Sequence, residues 1–247
     1  VDYREDKKNK NVYDRISRRN FLKYTGTIIF VVGSGCYVPG NKGTNNLMKL
    51  DENRGFIPPS QGYLLVDIQK CQGCTSCMLA CTLVHEGVEN LSLSRIQIIQ
   101  NSFKSFPADV TIEQCRQCVD PACVKVCPAD ALKANAEYGN VRMIDRIKCI
   151  GCGECIEACP YTPSRPVVAA DGSFDDDQKA RKCDLCANTP YHWDTAGGGP
   201  EGKQACVEVC PVGAIKLSKT IPVQLGDKGY KVNLRTKNWG KLGYPRT

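Results

Sequence analysis

Cys71-Gln72-Gly73-Cys74-Thr75-Ser76-Cys77-Met78-Leu79-Ala80-Cys81 and Cys149-Ile150-Gly151-Cys152-Gly153-Glu154-Cys155-Ile156-Glu157-Ala158-Cys159 share one spacing, C-x2-C-x2-C-x3-C. Two further quartets accompany them. Cys115, Cys118, Cys123 and Cys127 have four residues in their middle gap, and Cys183, Cys186, Cys206 and Cys210 have nineteen. Pro128, Pro160 and Pro211 follow the last cysteine of three quartets, and Thr82 follows the other.

The spacing has a physical reason. Three cysteines within seven residues let the backbone curl around one face of a cubane, so that three thiolates reach three irons. Amides in the curl then point at cluster sulfurs and stabilise negative charge. Gly73, Gly151 and Gly153 suit the positive-φ conformations such a curl needs. The fourth cysteine does not easily turn back to the same cubane; in two-cluster ferredoxins it ligates the neighbouring one. Proline after it fixes the chain direction.

Working outward, the chain repeats itself. Asp67-Ile68-Gln69-Lys70-Cys71-Gln72-Gly73-Cys74 matches Asp145-Arg146-Ile147-Lys148-Cys149-Ile150-Gly151-Cys152. Ala122-Cys123-Val124-Lys125-Val126-Cys127-Pro128 matches Ala205-Cys206-Val207-Glu208-Val209-Cys210-Pro211. Two copies of one unit, each with two quartets, are expected to build the core. Tyr63-Leu64-Leu65-Val66 and Val141-Arg142-Met143-Ile144 precede the first quartet of each copy and read as short strands. A further strand is expected at Arg95–Ile99, and another in the alternation Tyr230-Lys231-Val232-Asn233-Leu234-Arg235.

Composition agrees with a mineral interior. Of 247 residues, 17 are cysteine, while aromatic residues make up only 7% and supply little core. The formal charge of +7 suggests nucleic acid or an acidic membrane. Four cubanes carrying about −2 per site would bring it to about −1, which removes that reason for nucleic acid. With His85 and His192 the only histidines, histidine-rich metal chemistry is excluded. No apolar run reaches the length of a membrane span.

Two other uses of cysteine compete. Zinc ribbons pair C-x2-C units across a long gap, as the fourth quartet does. Disulfide frameworks occur in exported proteins. Neither explains two C-x2-C-x2-C-x3-C strings, two Cys-Pro quartets in step with them, and a total of sixteen.

Residues 63–217 resemble the four-cluster, ferredoxin-like electron-transfer subunits of molybdenum or tungsten pterin oxidoreductases. The resemblance implies an α+β fold, a duplicated two-cluster ferredoxin-like domain around four [4Fe-4S] clusters, with no substrate chemistry of its own. It also implies the ligand sets. Cys71, Cys74, Cys77 and Cys210 would hold one cluster, and Cys183, Cys186, Cys206 and Cys81 its neighbour. Cys115, Cys118, Cys123 and Cys159 would hold a third, and Cys149, Cys152, Cys155 and Cys127 the fourth. All sixteen are cysteine, so no three-iron cluster is indicated. The implied function is one-electron relay between a Mo/W-pterin catalytic subunit and a further redox partner; a quinone-linked membrane subunit is an alternative partner. The alternative class is a redox-sensing or structural metal protein. More narrowly, His85-Glu86-Gly87, Leu91–Gln97 and Lys182–Tyr191 are similar to the iron–sulfur partners of the aldehyde:ferredoxin oxidoreductase family, which are tungsten enzymes.

Outside the quartets, Ser17-Arg18-Arg19-Asn20-Phe21-Leu22-Lys23 and the short apolar run after it resemble a twin-arginine export signal, within residues 1–38. The expected location is periplasmic, or the outer face of the cytoplasmic membrane. No Ala precedes Ala80, so an A-x-A cleavage site is absent. Two alternatives stand: lipid attachment at Cys36, or an uncleaved segment with an idle thiol that acts as a tether. Residues 39–62 read as a linker, and residues 218–247 as a basic arm for partner docking, with Trp239 and Tyr244 as anchors. His85 and His192 read as packing or surface residues, and Asp175-Asp176-Asp177 as a solvated charge run. Lys70, Lys125, Lys133, Lys148 and Lys182 flank cluster cysteines and would raise cluster potentials.

Overall fold

The computed structural model describes residues 56–106 and 108–242. The export-signal segment, Cys36, most of the linker and Tyr244 lie outside them.

The elements come in one order, twice. β1 (Tyr63–Val66) leads through the first cysteine loop into α1 (Ser76–Glu86). The hairpin strands β2 (Ile96–Gln100) and β3 (Val110–Gln114) follow, then the single turn α2 (Ala122–Lys125) and β4 (Leu132–Asn135). The second pass runs β5 (Val141–Ile144), α3 (Glu154–Glu157), β6 (Val167–Asp171), β7 (Asp177–Arg181), α4 (Ala205–Glu208) and β8 (Ile215–Ser218). Among the described residues there are four sheets, each two-stranded and antiparallel: β1 with β8, β2 with β3, β4 with β5, and β6 with β7. Thus the first strand of each pass closes against the last strand of the other. Tyr63 faces Ser218 and Val66 faces Ile215, while Asn135 faces Val141 and Leu132 faces Ile144.

Sheets this small bury little, and the sulfurs make up the difference. The largest apolar cluster has sixteen buried residues, and six of them are Cys71, Cys77, Cys81, Cys115, Cys183 and Cys206. A second cluster sets Val124, Leu132 and Ala180 around Cys149 and Cys155. In an ordinary domain aliphatic side chains would fill this volume to crystal-like density.

Each helix carries a cysteine at its second residue (Cys77, Cys123, Cys155 and Cys206), and the next cysteine stands four residues on. On α1, which alone holds both, a rise of about 1.5 Å per residue sets Cys77 and Cys81 about 6 Å apart along one face; in the other three the second cysteine lies just past the helix end. The curl before α1 and α3 has the left-handed backbone the glycines suit, with φ of 68° at Gly73, 69° at Gly151 and 82° at Gly153. At Gly151 no other residue fits, because a Cβ there would run into the backbone carbonyl of Gln178.

Two expectations are corrected. The strand expected from residue 95 starts at Ile96, because the Arg95 amide donates to the Cys81 sulfur at 3.4 Å instead of to a neighbouring strand. The alternation at 230–235 does not form a strand. One edge of β1 is taken by β8, and the other meets the arm only at a single parallel bridge, Val66 to Lys231. Asp67 then takes the chain over: its carboxylate accepts from the Leu234 amide at 2.8 Å and from Arg235 at 3.2 Å. Tyr230 is fully buried, and its hydroxyl donates to the Arg116 carbonyl at 2.7 Å. Trp239 lies over Lys70 of its own chain at 5.6 Å. Of residues 39–62, those from 56 on are described; Ser60 is buried and the Gln61 amide bonds the Gly139 carbonyl.

Candidate functional site

The structure gathers the sixteen cysteines around four cavities. One is lined by Cys71, Cys74, Cys77 and Cys210, and a second by Cys81, Cys183, Cys186 and Cys206. A third is lined by Cys115, Cys118, Cys123 and Cys159, and a fourth by Cys127, Cys149, Cys152 and Cys155. The space between protein atoms in them, mouths included, runs from about 270 to about 370 Å³.

The helices explain this exchange of fourth ligands. Cys77 and Cys81 lie one turn apart on α1, and they reach adjacent cavities rather than one. Cys206 on α4 and Cys210 just after it make the same crossing in reverse. Cys123 and Cys127 link the third and fourth cavities, and Cys155 and Cys159 link them again. Between the two halves, Gln117 donates from Nε2 to the Cys183 carbonyl at 2.8 Å, which joins the Cys115 cavity to the Cys81 cavity. The order is therefore Cys71, Cys81, Cys115 and Cys149 cavities. Cys74 and Cys152, in the two outer cavities, are exposed, whereas the second cavity has all four cysteines buried.

All sixteen described cysteines are free thiols, so no disulfide framework exists among them. Among the described residues no three His, Cys, Asp or Glu converge closely enough for one metal ion. Tetrahedral zinc needs its sulfurs about 2.3 Å from a single point. These sulfurs ring a space instead, as a polynuclear cluster requires.

Burial decides the protonation of many of these thiols. Burial pushes the thiols of Cys77 and Cys123 up to about 12, and those of Cys118 and Cys155 up to about 11. Neighbouring thiols add to it: Cys71 and Cys210 act on Cys77, and Cys149 on Cys155. Thiolates there need metal to ionise them. Backbone amides already face the sulfurs: Gly73 N to Cys71 at 3.5 Å, Ala214 N to Cys210 at 3.1 Å, Arg165 N to Cys159 at 3.3 Å and Ala180 N to Cys149 at 3.3 Å. The donor set and the shape fit [4Fe-4S] groups.

Sequence reasoning missed a buried ionic network beside the Cys81 cavity. His85 is buried on α1. Its Nε2 lies 2.9 Å from Asp184, and its Nδ1 lies 2.7 Å from the Cys81 carbonyl. Asp184 also accepts from Arg95 Nη1 at 2.7 Å and from the Cys186 amide at 3.0 Å. Glu86 meets Arg95, Arg146 and Arg181, and Asp171 meets Arg146 and Arg181. Burial lowers the affinity of His85 for its proton, but Asp184 and Cys81 together more than offset this and leave it at about 9. His85 is thus a buried hydrogen-bonding residue, while Asp175, Asp176 and Asp177 are exposed. Residues 85–97 and 182–191 meet in this network; their separation, up to 99 residues, hid the contact.

The fold and the site define an iron–sulfur electron-transfer protein. Residues 107–220 match the family model of a 4Fe-4S dicluster domain. The chain is 36% identical over 148 residues to the polyferredoxin-like subunit of an aliphatic sulfonate oxidoreductase from Pyrococcus furiosus, covering 60% of this chain and 70% of that protein. It is 31% identical over 168 residues to the electron transport protein HydN of Escherichia coli K12, covering 62% and 85%. It is 36% identical over 165 residues to the beta subunit of an NADH-dependent phenylglyoxylate dehydrogenase from Aromatoleum evansii, covering 65% of this chain and 31% of that longer protein. The chain belongs to this family of 4Fe-4S electron-transfer proteins, and it is a non-catalytic electron-transfer subunit of the oxidoreductase type.

Proposed function

We propose that the chain holds four [4Fe-4S] clusters, one per cavity, and relays single electrons along them between a catalytic subunit and a redox partner. The observation that carries this reading is that four cavities, each with four cysteines, adjoin in one order. When bound, the clusters supply reversible one-electron chemistry. The residues hold and insulate them. The crossing of Cys77 and Cys81, and of Cys123 and Cys127, ties neighbouring sites to one rigid turn. Burial of the second cavity keeps water from the inner part of the path, and the exposed Cys74 and Cys152 lie where electrons enter and leave.

The catalytic partner we favour is a Mo/W-pterin subunit of the aldehyde oxidoreductase type. What supports it is the likeness of 85–97 and 182–191 to that group's iron–sulfur partners and their meeting in one buried network. We propose further that residues 1–38 direct export by a twin-arginine route, so that the complex works outside the cytoplasm, with membrane contact only through that segment. The test is anaerobic isolation of the tagged full chain from its source cells, with metal analysis of the complex and sizing of its N-terminus. A stoichiometric partner containing tungsten or molybdenum is expected, in an exported fraction. A complex with neither metal, or one whose sole partner is a quinone-linked membrane subunit, contradicts the choice of partner. Zinc in the chain contradicts the relay itself.

A further inference from the structure

Positive charge is unevenly spread over the four cavities. No charged side chain lines the Cys71 cavity. At the Cys81 cavity Arg95 and the protonated His85 are matched by Asp184 and Glu86. At the Cys149 cavity, Lys179 donates to the Cys149 carbonyl at 2.8 Å and has Asp177 at 3.8 Å. The Cys115 cavity is lined by four cations, Arg116, Arg142, Arg165 and Lys182. Arg116 pairs with Asp227, and Arg165 with Glu113.

The other two have no carboxylate. Arg142 is 1% exposed and spends its guanidinium on the carbonyls of Cys118, Pro58, Asn140 and Val119. Lys182 is 2% exposed and donates to the carbonyls of Arg142 and Cys183. Among the described residues neither meets Asp or Glu at ion-pair distance. Asp184, two residues from Lys182, is committed to His85 and Arg95. Burying an unpaired cation is costly unless an anion stands nearby. The anion left for these two is the thiolate-bound group of the Cys115 cavity.

Resting on the reading that each cavity holds a cluster, we propose that Lys182, with Arg142, makes the Cys115 site the highest-potential centre of the chain. Fixed positive charge favours the reduced, more negative state of whatever the four thiolates hold. Lys182 also bonds the carbonyl of Cys183, a residue of the Cys81 cavity, so it stands at the seam between the halves. The chain therefore has an electron-holding station in its interior rather than an even slope from end to end. An electron arriving from either exposed end rests there until the partner at the other end accepts it.

The test is a redox titration of the full chain followed by paramagnetic resonance, on wild type, K182M, K182Q and K182R, with iron and sulfide measured on each. K182M and K182Q are expected to lower the potential of the highest-potential cluster most, by tenfold or more in its reduction equilibrium (about 59 mV for one electron), with a smaller shift at the neighbouring Cys81 site. K182R is expected to stay within threefold of wild type. Loss of packing without loss of charge would not divide the variants this way. Four clusters present with no shift in K182M and K182Q overturns the inference, as does an equal shift in K182R. If wild type itself lacks four clusters, the occupancy of the cavities fails instead, which the iron and sulfide values reveal separately.

Discussion

Asp184→Asn removes one negative charge from a place with no water to replace it. Asp184 is 3% exposed and accepts from His85 at 2.9 Å, Arg95 at 2.7 Å and the Cys186 amide at 3.0 Å. Asparagine has the same shape but turns an NH2 toward one of two donors. Breaking a buried pair by removing one partner costs about 3–5 kcal/mol, because the remaining charge stays buried. Two partners are stranded here, so the upper half of that range applies. Domains of this kind have about 5–15 kcal/mol in all, so the variant spends a large part of it. Iron–sulfur proteins unfold irreversibly, so the assay is kinetic: the half-life of visible absorbance under anaerobic heating. If about half of about 4 kcal/mol falls on the unfolding barrier, the half-life shortens about thirtyfold. Glu201→Gln is the control. It breaks an exposed pair with Lys219, whose side chains are 76% and 61% exposed, and such pairs are worth about 0–1 kcal/mol. A D184N half-life within twofold of wild type, or no greater effect than E201Q, would refute the reasoning.

Further outcomes follow from the loops and the arm. Gly151→Ala and Gly73→Ala both force a side chain into positive φ, at about 1–2 kcal/mol, but only at Gly151 does the new carbon meet backbone, at Gln178. G151A should lose a further amount of about 1–3 kcal/mol, while Gln100 swings aside in G73A; equal melting of the two variants would contradict this. Asp227→Asn strands the buried Arg116 guanidinium and should cost about 1–3 kcal/mol, read as faster proteolytic release of the arm beyond Tyr230. Anaerobic removal of iron by a chelator should abolish cooperative unfolding and most far-ultraviolet dichroism, since buried sulfurs form much of the core. Retention of a cooperative transition in the iron-free chain would show a core that stands without metal.

Much of this was legible in the residues because the decisive contacts are local. Three cysteines and a positive-φ glycine within seven positions specify a loop regardless of what surrounds it, and β1 and β5 occupy Tyr63–Val66 and Val141–Ile144, as their apolar runs suggest. The hairpin partner β3 was harder, since its strand ends in Gln114, buried only because its amide donates to the Leu64 carbonyl at 3.0 Å. Lys182 was legible as one of five lysines beside cluster cysteines but not as the buried one, and Arg142 was not legible as a cluster neighbour at all. Their burial depends on contacts distant in sequence, since carbonyls more than twenty residues away accept their hydrogen bonds. The arm shows the opposite error. Its alternation favours a strand, but Asp67 competes for the same amide and wins.

Iron and acid-labile sulfide per chain, measured on anaerobically isolated wild type and on Cys210→Ser and Cys159→Ser, bear most directly on whether four cubanes fill the four cavities. Wild type should carry about sixteen of each. Each variant should weaken a cluster whose other ligands lie far off in sequence, Cys71, Cys74 and Cys77 for the first and Cys115, Cys118 and Cys123 for the second. A wild-type value near eight, or zinc in place of iron, would contradict it.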